Sequence, residues 1–198
     1  TERPEIILSS PYVRAKQTAA IICEQGALAG GPARTIIDER LREREFGIFD
    51  RLTTAGIRHK FPEEAAHRRR LGKFYHRPPG GESWADVILR LRSMLNTINL
   101  HYCDRRVLVV CHQVVVLCFR YILEELDEET ILRIDKQGDV LNCGIAAYDF
   151  DPDADGGGQY CLFDSHLAAD HQEKIETEKA LSEAVLRDEF VLAFQPQM

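Results

Sequence analysis

IILSSPYVRAKQTAA, residues Ile6 to Ala20, is the stretch on which the reading of the whole chain turns. Glu5 to Leu8 closes a β-branched run, so a strand is expected there. Ser10 is a strong N-cap residue and Pro11 is pre-set for the first helical position. A helix is therefore expected from Pro11 to about Glu24, with Ala15, Ala19 and Ile22 along one face. Its first turn would present unpaired backbone N–H groups and the positive end of the helix dipole, and Arg14 would add a planar guanidinium one turn in. Together these suit a tetrahedral oxyanion. The same residues also fit an ordinary capped helix with an exposed arginine, so the remaining sequence has to decide.

With 198 residues, 44% of them hydrophobic, the chain can bury one sizeable core. No run approaches the ~20 apolar residues that span a bilayer, and no secretory apolar region opens the chain. A soluble, cytoplasmic protein without a membrane partner is expected. Cys23, Cys103, Cys111, Cys118, Cys143 and Cys161 stand at irregular intervals without a CxxC pair, which suggests reduced core thiols and no metal site. The net charge of −7 argues against nucleic acid as a partner. HRRRLGKFYHR (67–77), where arginines interleave with Phe74 and Tyr75, is the one stretch that would suit it. The charge is uneven: Arg58 to Arg77 is basic and Glu124 to Asp155 acidic, so a local positive basin for a small anion is expected.

Outward from the opening stretch, GALAGGP (26–32) breaks the first helix and Thr35 to Ile37 gives a short strand. A charged loop, DERLREREFGIFDRLT (38–53), follows. Short helices are expected over Ala55–Phe61 and Glu64–Phe74, and RPPGG (77–81) must turn. Ser83 then caps an amphipathic helix whose inner positions are Trp84, Val87, Ile88, Leu91, Met94, Leu95 and Ile98. RVLVVC (106–111) is fully apolar, as in a parallel sheet covered on both faces. His112 follows at its carboxyl end, where open α/β sheets bind ligands; a structural role for a lone histidine there is equally well supported. Val140 to Phe150, with Asn142 near its start, and YCLFD (160–164) read as strands around an acidic, glycine-rich turn. From Ala168 a helical pattern runs to FVLAFQPQM, giving an expected helical tail over 168–198. The alternation of strands and helices predicts an α/β fold.

SSPYVRAKQTA (9–19), LREREFG (41–47), PPGGESWADVILRL (78–91) and VLVVCHQVVV (107–116), in this order, closely resemble the histidine phosphatase, or phosphoglycerate mutase-like, superfamily. The PGGES and VCHQ phrasing is that of its fructose-2,6-bisphosphatase branch. The similarity covers about Glu5 to Leu167, so residues 1–167 are expected to form the phosphatase-like domain. It implies a three-layer α/β/α sandwich with a mostly parallel sheet. It also implies hydrolysis of a small phosphorylated metabolite, a sugar phosphate such as fructose 2,6-bisphosphate, without metal or other cofactor. In the family a histidine attacks phosphorus and the phosphohistidine is then hydrolysed.

Carried over residue by residue, Arg14 matches the family's second arginine, which neutralises charge on the equatorial oxygens. His112 matches the second histidine, a donor to the phosphoryl group, and Glu43 the general acid, with Glu45 as the competing candidate. Ser10 falls beside the phosphate. Arg69 and Lys73 fall where the branch holds the sugar's second phosphate, Trp84 where it has a tyrosine, and Gln113 also matches; Asn142 completes the expected substrate contacts. Leu117 stands where the branch has another substrate-binding arginine, which leaves the particular sugar open.

The family's Arg-His-Gly segment, with the nucleophile and the first arginine, has no match here. His59, His67, His76, His101, His166 and His171 each lack a following glycine. The nucleophile is therefore expected upstream of Thr1, and the chain by itself is expected to be inactive. The alternative is a catalytically inactive module that binds a phosphorylated ligand. The absent segment would also carry the family's central strand, without which neighbouring strands would expose apolar area at about 25 cal/mol per Å². ALSEAVLRDEFVLAFQPQ (180–197) is similar to the opening of EAL-type cyclic-di-GMP phosphodiesterase domains, so the tail is read as the start of a second domain.

Overall fold

The computed structural model describes residues 4–25, 34–102, 105–138, 140, 142–151, 159–162 and 190–194. In chain order the elements are β1 (Ile6–Ser9), α1 (Val13–Glu24), β2 (Arg34–Ile37), α2 (Thr54–Lys60), α3 (Pro62–Tyr75), α4 (Trp84–His101), β3 (Val107–Cys111), α5 (Gln113–Leu123), α6 (Glu128–Gln137), β4 (Ile145–Asp151), β5 (Gln159–Leu162) and β6 (Phe190–Phe194). Single 3-10 turns at Glu39–Leu41 and Gly47–Phe49 interrupt the charged loop between β2 and α2.

The six strands form one sheet in the order β2-β1-β3-β6-β4-β5. β2, β1, β3 and β6 run parallel, and β4 pairs antiparallel with both β6 and β5. Alternation along the two apolar strands divides the core. Leu8, Val107, Val109 and Cys111 face a large cluster built with α4 and α5, including Trp84, Leu91, Met94 and Phe119. Ile7, Leu108 and Val110 face the other way, onto Ala15 and Ala19 of α1. Helices thus cover both faces, as the α/β/α expectation requires, and the small alanines let α1 approach the sheet closely.

Ser83 does cap α4. Its hydroxyl accepts from the Asp86 N–H while the Asp86 carboxylate accepts from the Ser83 N–H, a reciprocal capping box. The first helix differs from expectation. It starts at Val13 with Tyr12 as the N-cap residue, and no side chain caps it. Ser10 lies earlier, at the exit of β1, where its N–H bonds the Val110 carbonyl at 2.9 Å and its hydroxyl is drawn to His112 instead. β4 also begins later than expected, so Asn142 lies in an exposed turn before it.

Of the tail expected to be helical over 168–198, residues 168–189 lie outside the described ones. Residues 190–194 form β6, a strand between β3 and β4 near the middle of the sheet. β6 is paired on both sides, parallel to β3 and antiparallel to β4. The GALAGGP break at 26–32 and the turn at 152–158 also lie outside the described residues. Of the thiols, Cys111 and Cys118 are buried as expected, whereas Cys143 is exposed. Among the described residues no helix is long and apolar enough to cross a membrane.

Candidate active site

Parallel pairing of β1 with β3 sets Ser9 opposite Val110, so both strands release their chains at the same edge of the sheet. Ser10 and His112 emerge there side by side. His112 Nε2 lies 2.7 Å from Ser10 Oγ, which also accepts the Tyr12 N–H at 3.3 Å. Arg14, in the first turn of α1, places Nη2 3.0 Å from His112 Nδ1. The Tyr12 ring packs 4.9 Å from the His112 ring, and the Arg14 guanidinium lies 4.9 Å over the same tyrosine. His112 is fully buried. That burial first, and then the charges of Arg14 and Arg90, push its pKa down to about 3, so the ring is neutral near pH 7.

A cavity of about 590 Å³ opens in front of this row, lined by Tyr12, Arg14, Glu43, Arg44, Glu45 and Phe46, and further by Phe49 and residues 50–52. Arg14 forms part of its wall and His112 stands one contact behind. Among the described residues, Arg14 Nε is a buried nitrogen without a hydrogen-bond partner. A buried guanidinium donor without an acceptor is costly, and it is relieved by an anion bound against it.

The acidic side of the cavity is held by two interlocked glycine-bearing segments. Gly47 takes φ 55°, and a Cβ there would stand 2.2 Å from the Pro79 carbonyl oxygen, so the EFG loop can lie on the PPGG turn only with glycine at this position. Ile48 N–H bonds the Pro79 carbonyl at 3.0 Å and Glu82 N–H the Glu45 carbonyl at 2.9 Å. Glu82 clips the assembly to α4: its carboxylate takes both Arg90 nitrogens, Nε at 2.9 Å and Nη2 at 3.1 Å, and accepts the Glu45 N–H. Arg44 Nε donates to the Glu82 carbonyl at 2.7 Å.

The resulting loop separates the two candidate acids. Glu43 is 3% exposed, and its Oε1 accepts the Arg44 N–H at 2.9 Å. Glu45 is committed to Arg42, 2.9 Å away in a partly exposed ion pair, with the Tyr12 hydroxyl at 3.4 Å. Both line the cavity, but Glu43 is the buried one.

The remaining expected contacts are not brought to this cavity. Trp84 is a fully buried core residue packed on Phe74, and its position after the PGGES turn faces it inward. Lys73 pairs with Asp135 of α6 and lies 5.4 Å over the Trp84 ring. Arg69 is exposed on α3, Gln113 is half-buried at the start of α5, and Asn142 is exposed. The basic basin expected from Arg58–Arg77 does not line the cavity either. In that stretch Arg77 is paired with Asp86, Phe74 is buried and Tyr75 bonds Glu128. Tyr12, Arg44, Phe46, Phe49 and Arg51 line the cavity without having been singled out. Tyr12 was legible in principle as the neighbour of Arg14, whereas Arg51 was one charge among many.

The model of the histidine phosphatase superfamily (branch 1) matches residues 1–155. The chain belongs to that superfamily. Human 6-phosphofructo-2-kinase/fructose-2,6-bisphosphatase 3 is 38% identical over 90 residues, which cover 45% of this chain and 16% of the human protein. The 2,3-bisphosphoglycerate-dependent phosphoglycerate mutase of Azorhizobium caulinodans is 32% identical over 131 residues, 65% of this chain and 62% of the mutase. The chain therefore spans less than two thirds of either relative. Mycobacterial glucosyl-3-phosphoglycerate phosphatase complexed with inorganic phosphate superposes with a TM-score of 0.63 at 25% identity, over 80% of this chain and 75% of that one. Within this histidine phosphatase fold, the four motifs converge as two pairs. SSPYVR meets VCHQ at the basic end of the cavity, and LREREFG meets PPGGES at the acidic end.

Proposed function

We propose that this histidine phosphatase domain serves a phosphomonoesterase that hydrolyses a small phosphorylated metabolite through a phosphohistidine. The observation that carries the reading is the unpartnered, buried Nε of Arg14 on the wall of a cavity that also holds a buried carboxyl, Glu43. A phosphoryl group against Arg14 would receive Nε–H and an Nη–H together, the planar fork that fits two equatorial oxygens. His112 holds that fork from behind, its Nδ1 accepting from Arg14 Nη2. Glu43, buried on the cavity wall, would protonate the leaving oxygen and then assist water.

The attacking histidine is assigned to residues outside this sequence, because no histidine here is followed by glycine and His112 is occupied on both nitrogens. The cavity sets three arginine and carboxylate positions against each other, with Phe46 and Phe49 as apolar wall, which suits a polar metabolite carrying a phosphoester more than a polyanion. Sugar monophosphates fit that description; fructose 2,6-bisphosphate fits it less well, because neither Arg69 nor Lys73 lines the cavity to meet a second phosphate. The test is a protein that includes an upstream Arg-His-Gly segment, assayed with a generic phosphate ester and chelator present. Turnover with an acid-labile phosphoenzyme supports the reading. Undiminished turnover in both Arg14→Ala and His112→Ala overturns it, and phosphate binding without turnover favours the ligand-binding module instead.

A further inference from the structure

A second group of donors stands outside the phosphate site, behind Phe49. Glu64 and His67 are three residues apart on α3 and so share a face. On a straight helix His76 would lie about 18 Å further along, at about 1.5 Å per residue. It does not, because Gly72 breaks α3 with φ 78° and ψ 165°, a region open essentially to glycine alone. The helix kinks there, and one last helical turn follows, capped by the His76 N–H on the Gly72 carbonyl at 3.1 Å. One ligating atom each from Glu64, His67 and His76 thereby comes within 4.8 Å of the other two. His76 is 1% exposed, stacked on Phe49 at 5.7 Å and edge-on to His67 at 5.5 Å, with Nε2 3.4 Å from Glu64 Oε2. Glu64 and His67 stay partly open to solvent, which gives an ion a way in.

We propose that Glu64, His67 and His76 form a binding site for a borderline divalent transition metal, of which zinc is the representative. Two imidazoles and one carboxylate are a zinc donor set that leaves a fourth position for water, whereas calcium and magnesium favour oxygen throughout. Tetrahedral bonds of about 2.0–2.1 Å set donor atoms about 3.4 Å apart, the spacing that His76 Nε2 and Glu64 Oε2 already have, and the partly exposed His67 side chain can close the remaining edges. Arg68, whose charge also reaches His76, opposes the ion and weakens the site. The bound ion would tie the end of α3 beyond the Gly72 kink to its first turns and stiffen Phe49, which lines the cavity. None of its three ligands belongs to the phosphate site, so the chemistry proposed above stays metal-free. Cysteine spacing gave no sign of this site, because its ligands are joined only by the break at Gly72.

The site is tested on the present chain by titrating Zn²⁺ in competition with a chromophoric chelator, and by recording the Co²⁺ spectrum. One ion per chain is expected, weakened by about tenfold or more in Glu64→Gln and in His67→Ala. Both residues are partly exposed, so the variants should fold, and unchanged circular dichroism verifies that they do. Cobalt should show the visible bands of a four-coordinate nitrogen and oxygen site. Equal zinc affinity in folded Glu64→Gln and His67→Ala, no binding at micromolar zinc, or a thiolate-to-cobalt band in the near ultraviolet would each overturn the assignment.

Discussion

Arg14 Nη2 stands 3.0 Å from Nδ1 of His112, and because a guanidinium only donates, Nδ1 is the acceptor. The proton of the neutral ring is therefore on Nε2, which donates to Ser10 Oγ at 2.7 Å. One contact thus fixes the tautomer, the ring orientation and the direction of the whole row. It also holds an arginine beside a histidine that stays uncharged, so the positive charge of the site resides in the guanidinium.

The pH dependence of folding follows from that neutrality. His112 drops from an ordinary value of 6.5 to about 3 in the folded chain, through burial and then the charges of Arg14 and Arg90. Between those values the unfolded chain binds the extra proton, so His112 makes stability fall as pH drops from about 6.5 towards 3 and contributes no slope above that window. Arg14→Ala removes one of the depressing charges, so it should raise the folded-state pKa of His112, narrow the window from its low-pH end and reduce the total loss. Urea unfolding at a series of pH values in both proteins, with histidine NMR titration, checks this.

Ser10→Ala should destabilise the chain by about 1–3 kcal/mol, because it leaves the His112 Nε2–H and the Tyr12 N–H without their acceptor at a buried position. Ser10→Thr, which keeps the hydroxyl, should recover part of that loss if the extra methyl is accommodated. Chemical denaturation midpoints at constant slope measure both.

Gly47→Ala should cost about 1–3 kcal/mol from overpacking, since its Cβ would meet the backbone of Pro79, Gly80 and Gly81 at 2.2–2.7 Å. The damage should reach the cavity, because the same contact positions Glu43 and Glu45. Gly72→Ala differs in kind. A Cβ there has nothing within 4 Å, so its cost, about 1–3 kcal/mol, is one of backbone conformation alone. Thermal unfolding together with phosphate binding should separate the two, with only Gly47→Ala losing the ligand.

Much of this arrangement is legible in single residues, and the rest is hidden for identifiable reasons. The apolar run of RVLVVC and the Ser83 cap follow from local pattern, and the convergence of Arg14 with His112 follows from the resemblance of their motifs to the histidine phosphatases. Ser10 has the chemistry of an N-cap, yet a tertiary partner 102 residues away claims its hydroxyl. Trp84 and Lys73 have the chemistry of a sugar phosphate site, but the helical phase turns the indole into the core and Asp135, 62 residues on, takes the ammonium. The strand at 190–194 carries no local sign of which strands it will join. In each case the competing partner is distant in sequence, where periodicity and spacing give no information.

Titration of the chain with inorganic phosphate at pH 7, followed by calorimetry and by the ring resonances of His112, tests most directly whether Arg14 and His112 form an anion site. One phosphate per chain is expected, with a perturbed His112 signal and an affinity reduced by about 1.5–3 kcal/mol in Arg14→Ala, the worth of a hydrogen bond to a charged group. Phosphate binding of equal strength in wild type and Arg14→Ala, with His112 unperturbed, would contradict that assignment.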